Sequence, residues 1–65
     1  MTPLYKPGDR VQLHPATDAW MRGDRFGEIR VVGVSRVTGT PVYTIGMDRS
    51  DRFLRVQERN VLGLV

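Results

Sequence analysis

The chain contains no cysteine, which excludes a disulfide framework, a thiolate zinc site and a cysteine nucleophile together. Lysine, histidine and tryptophan each occur once, as Lys6, His14 and Trp20. No apolar run exceeds three residues, far short of the roughly 20 that span a membrane. The opening Met-Thr-Pro-Leu-Tyr-Lys-Pro-Gly has prolines where a secretory leader has an apolar stretch. A cytoplasmic protein without membrane contact is the expectation. Its 65 residues suffice for one hydrophobic core and not for two.

What is present is ordinary in amount and biased in kind. The chain is 40% hydrophobic and 26% charged, a balance that supports a folded globule. Its formal net charge is +3, and every basic residue except Lys6 is an arginine. Guanidinium groups bind phosphate and carboxylate bidentately. A GC-rich genome produces the same bias, and so modest a net charge does not by itself point to nucleic acid.

The pattern along the chain is that of short strands. Residues 1–6 read as an N-terminal arm, with Pro3, and then Pro7 and Gly8, blocking regular structure. Asp9–His14 alternates polar and apolar residues, placing Val11 and Leu13 on one face, and Pro15 ends it. Residues 15–25 form a long polar loop with a short helical turn expected at Thr17–Met21. Phe26–Val34 is the strongest strand, with Ile29 and Val31 expected inward, Glu28 and Arg30 outward, and bends or bulges at Gly27 and Gly33. Ser35–Thr40 is a turn. Pro41–Met47 and Arg52–Val56 are strands joined by Asp48–Asp51, and a tight turn at Gln57–Asn60 leads into a last strand, Val61–Val65. Five short strands with no helical period predict an all-β barrel over residues 7–65.

The landmarks resemble the SH3-like barrel superfold. Pro7-Gly8-Asp9-Arg10-Val11 is similar to the opening of such barrels, KOW-type domains among them, and Gly27-Glu28-Ile29 to the start of their second strand. Val56-Gln57-Glu58-Arg59-Asn60-Val61 looks like their ending of strand, 3₁₀ turn and final strand. The resemblance implies a single five-stranded SH3-like barrel with a long first loop and a short 3₁₀ turn before the last strand. It does not specify function, because the superfold hosts many roles. KOW-type relatives bind nucleic acid, ribosomal or transcription partners. Photosystem I subunit IV relatives have a similar strand, long loop and strand, matched here by the spacing Val11–Trp20–Ile29, and use them for docking. Small stand-alone barrels of this kind resemble accessory proteins of phage or mobile elements. Type II dihydrofolate reductases also open with Gly-Asp-Arg-Val and act only as a tetramer around a pore lined by Val-Gln-Ile-Tyr. That segment falls on Phe53-Leu54-Arg55-Val56 here, so leucine and valine replace the glutamine and tyrosine that would contact ligands.

Few residues offer chemistry. His14 has only Leu13 and Pro15 beside it, so a strand-end surface role is expected rather than that of a general base. Asp48-Arg-Ser-Asp51 lacks the ligand density of a calcium loop and reads as a solvated turn. No phosphate-cradling glycine loop is present, so no catalytic, cofactor or metal residue is expected. Trp20 reads either as a lid over one end of the barrel or as an anchor for a partner, with Met21 and Phe26 extending its patch. Arg10, Arg30 and Arg55 fall outward on three strands, where Asp9, Glu28 and Glu58 are expected to neutralise some of the charge. Arg22, Arg25, Arg49 and Arg52 lie in loops. With Trp20, Phe26 and Phe53 interleaved, these arginines suit phosphate contact and base stacking. The resulting expectation is a non-enzymatic module that binds nucleic acid or a protein surface through Trp20, Met21, Arg22, Arg25, Phe26, Arg10, Arg30, Phe53 and Arg55. The alternative is a homo-oligomer joined through exposed strand edges or through the apolar Val32, Val34, Phe53 and Leu62–Val65.

Overall fold

Alternating side chains at the start of the chain become β1 (Arg10–Leu13), with Val11 and Leu13 fully buried and Arg10 exposed. The structure, a computed structural model, describes residues 2–65. Beyond β1 lie the helical turn α1 (Asp18–Met21), then β2 (Phe26–Val34), β3 (Pro41–Met47) and β4 (Phe53–Gln57). A 3₁₀ turn (Glu58–Asn60) leads into β5 (Val61–Leu64). All five strands form one antiparallel sheet in the order β4-β3-β2-β1-β5. The expected all-β, five-stranded fold with a long first loop and a 3₁₀ turn before the last strand is therefore observed. Among the described residues, no ladder joins β4 to β5, so the sheet retains two edges.

The core lies on one face of this sheet. Val11, Leu13, Ala19, Ile29, Tyr43, Ile45, Met47 and Val61 form it, with Tyr5, Trp20, Val32, Leu54 and Val56 packed against its margin. A Cβ at Gly27 would sit 2.6 Å from Ile45 Cγ2 and 2.7 Å from the Gly46 carbonyl oxygen, so only glycine lets β2 lie this close to β3. The long loop is shaped by capping: Thr17 Oγ1 accepts the Trp20 N–H at 3.2 Å and donates to the His14 carbonyl at 2.8 Å, satisfying one of the free amides of the first helical turn. Residues of the arm dock rather than trail. The Tyr43 hydroxyl donates to Glu58 Oε2 at 2.6 Å and accepts from the Leu4 N–H at 3.1 Å, while the Tyr5 ring meets the Tyr43 ring edge-on at 5.4 Å.

Two details of β2 depart from strict alternation. The register against β3 shifts between Ile29 and Val31, so Arg30 and Val31 both face outward and Val32 returns to the core side. Val31, expected inward, is 57% exposed. The irregularity sits at Arg30 and not at Gly27 or Gly33, because a bulge inserts one extra residue and reverses every later side chain.

Candidate outer-face interface

Register determines which side chains share the outer face. Glu28 of β2 faces Gly46 of β3, which faces Phe53 of β4; one row on, Val31 faces Thr44, which faces Arg55; beyond them, Gly33 faces Val42, which faces Gln57. The floor along β3 is thus Gly46, Thr44 and Val42, flanked by a β2 wall and a β4 wall. Arg10 and Gln12 of β1 extend this face beyond β2, opposite Glu28 and Phe26. A point one Cβ above Gly46 lies 3.2 Å from Arg30 Nε and 3.4 Å from Phe53 Cε1. Arg30 and Phe53 therefore converge over a floor that has no side chain of its own.

The two ends of the trough differ in charge. One end is a depression of ≈ 490 Å³ lined by Arg10, Glu28, Arg30, Gly46, Met47, Asp48, Asp51 and Phe53. There Arg10 pairs with Asp48, and Arg30 Nη1 lies 3.9 Å from Glu28 Oε2. The Asp48 hydrogen bond, followed by its charge, raises the Arg10 pKa further above its ordinary value. The other end, ≈ 610 Å³, is lined by Val34, Ser35, Arg36, Val37, Val42, Arg55 and Gln57, with no carboxylate among them. Val42 forms its floor, buried yet outside the core cluster.

A second group gathers around the long loop. The Arg25 guanidinium carbon lies 4.8 Å from the Trp20 ring centroid, and the Trp20 and Phe26 rings are 6.4 Å apart. Arg49 Nη1 donates to the Arg22 carbonyl at 3.4 Å across Gly23. Trp20 is half-buried against the core margin. Met21, 73% exposed, covers nothing.

Of the residues singled out from the sequence, the structure brings Arg10, Arg30 and Phe53 together on the sheet, with Arg55 one row away. Trp20, Arg22, Arg25 and Phe26 belong to the loop group. Asp48, read as a solvated turn residue, is the partner of Arg10. Asp9 and Glu58, expected to neutralise arginines, do not: Asp9 Oδ2 accepts the Lys6 N–H at 3.0 Å, and Glu58 holds Tyr43. His14 is exposed at the strand end, where its Nδ1 accepts the Ala16 N–H at 3.0 Å. Arg36 and the bare floor at Gly46 carried no signal in the sequence, because a turn arginine and a strand glycine acquire meaning only from what lies across the sheet. Among the described residues, no three His, Cys, Asp or Glu side chains are placed to hold a metal ion, and no helix is long and apolar enough to cross a membrane. No family model, curated protein or solved structure matches the chain.

Proposed function

We propose that the protein is a small non-enzymatic binding module whose partner is nucleic acid, held on the outer sheet face and the adjoining Trp20 loop. One observation carries this reading. All nine arginines are exposed, and among the described residues only Arg10 and Arg30 have a carboxylate within ion-pairing distance. Seven guanidinium groups thus have no carboxylate partner and can meet an external anion, and Phe26 and Phe53 also stand exposed on the surface. Arginines without a carboxylate partner supply phosphate attraction, and exposed aromatic rings supply stacking. The test is fluorescence anisotropy with a labelled mixed-sequence oligonucleotide over a salt series. Affinity falls as salt rises, with a slope reporting a few released counterions. Affinity that is flat across the series defeats the reading.

Self-association is the second reading, supported by the two free sheet edges and by Leu62, Leu64 and Val65, which are 52%, 63% and 72% exposed. Unpaired edges are templates for a second chain. Light scattering at dilute concentration separates the readings, since a mass of 7.4 kDa is that of a monomer. A monomer also rules out a pore-type reductase, which requires the tetramer.

A further inference from the structure

Resting on the nucleic-acid reading, we infer that the trough over β3 selects single-stranded nucleic acid, with one base stacked at the Phe53–Arg30 end and phosphates held at the Arg36–Arg55 end. The first argument is shape. Walls on β2 and β4, one strand to either side of β3, stand roughly 10 Å apart at the usual strand spacing. The floor between them is a glycine, a threonine and a sunken valine. Phe53 is 68% exposed and converges with Arg30 over the bare Gly46. An exposed aromatic ring and a guanidinium group thus border the bare floor together. An exposed aromatic ring takes the face of a base, and a base offers its face only when it has left its own stack; in a duplex both faces are already covered.

Charge supplies the second argument. At the Phe53 end, Arg10 is matched by Asp48, Arg30 lies near Glu28, and Asp51 adds a further carboxylate. A phosphate gains nothing there, and an uncharged base is the favoured occupant. At the other end, Arg36 and Arg55 line one depression with Val42 and Gln57, and no carboxylate is in the lining, which suits a phosphate. The trough is therefore polar along its length and fixes the direction in which a strand lies. Three rows of side chains, two residues apart along β3, give it room for a few nucleotides.

The experiment compares a fluorescein-labelled 15-nucleotide oligo-dT with a 15-base-pair duplex, by anisotropy, on the parent chain and on Phe53→Ala, Arg55→Ala and Arg25→Ala. The single strand binds at least about tenfold tighter than the duplex, and Phe53→Ala weakens it by about 5- to 150-fold, the loss expected for one stacked base. Arg55→Ala lowers the salt slope by about one. Because Phe53 and Arg55 are exposed on the outer face, the variants keep the fold, which circular dichroism checks. Amide shifts provide a readout independent of any variant: oligo-dT moves Gly46, Thr44 and Arg55 more than residues 18–25. A duplex that binds as tightly as the single strand overturns the inference. So does a Phe53→Ala chain with parental affinity, or a loss confined to Arg25→Ala, and each leaves the broader nucleic-acid reading standing. Failure of the parent to bind either probe overturns both.

Discussion

Replacing Tyr43 with phenylalanine tests how the N-terminal arm, the central strand and the closing turn are tied together. The Tyr43 ring is fully buried and phenylalanine preserves its packing, so the substitution isolates the hydroxyl. That hydroxyl donates to Glu58 Oε2 at 2.6 Å and accepts from the Leu4 and Tyr5 N–H groups at 3.1 and 3.4 Å. In the variant, Leu4 N–H still reaches Glu58 Oε2 at 3.2 Å, whereas Tyr5 N–H loses its acceptor and the carboxylate loses its closest donor. A hydrogen bond to a charged group is worth about 1.5–3 kcal/mol, so a loss of about 2 kcal/mol is expected. For a domain of this size that lowers Tm by about 8–16 °C. Urea and thermal unfolding of the parent, Tyr43→Phe, Glu58→Gln and the double variant measure it, and the double variant loses less than the sum because both singles break one contact.

The same hydroxyl predicts an alkaline signature. Burial first, and the hydrogen bond to Glu58 second, raise its pKa above the ordinary tyrosine value near 10. The folded state then holds the proton more tightly than the unfolded one. The contribution to stability is complete below pH ~10 and is lost as pH rises from there through the folded pKa. Tyr43→Phe removes that slope. A variant within about 0.5 kcal/mol of the parent, the range of an indifferent surface change, or one that keeps the parent's alkaline profile, refutes the reasoning.

Other outcomes follow from single contacts. Gly27→Ala pushes a methyl group against Ile45 and the Gly46 carbonyl and costs about 1–3 kcal/mol or more of overpacking, read as a lowered urea midpoint. Val31→Thr, at an exposed position, shifts stability by no more than about 0.5 kcal/mol, whereas Val32→Thr, against the core, costs about 1 kcal/mol or more. Equal effects would place the bulge elsewhere. Thr17→Ala removes the cap over Trp20 N–H and costs about 1 kcal/mol, with red-shifted tryptophan emission as the loop loosens.

Strand alternation in Asp9–His14 and Phe26–Val34 made the all-β fold and the inward places of Val11, Leu13 and Ile29 legible, because a period of two exposes itself in any half-buried strand. Pro15, the Ser35–Thr40 turn and the Thr17–Met21 turn marked their own positions through local backbone chemistry. Val31 was misread because alternation carries no record of a bulge: the extra residue at Arg30 is defined by β3 lying opposite, not by neighbours in the chain. The arginines and Phe53 were visible as a set, but not their sorting into a matched end near Asp48 and an unmatched end near Arg36.

By itself, the amino-acid order determined strands, turns, the absence of thiol chemistry and an outward arginine population, since each depends on residues within a few positions of one another. Only the tertiary structure decided that Arg10 meets Asp48 and that Glu58 serves Tyr43 rather than an arginine. It also decided that Arg30 and Phe53 converge over Gly46. Those pairings join segments 15 to 38 residues apart, and such contacts are set by the register of neighbouring strands, which no local pattern encodes.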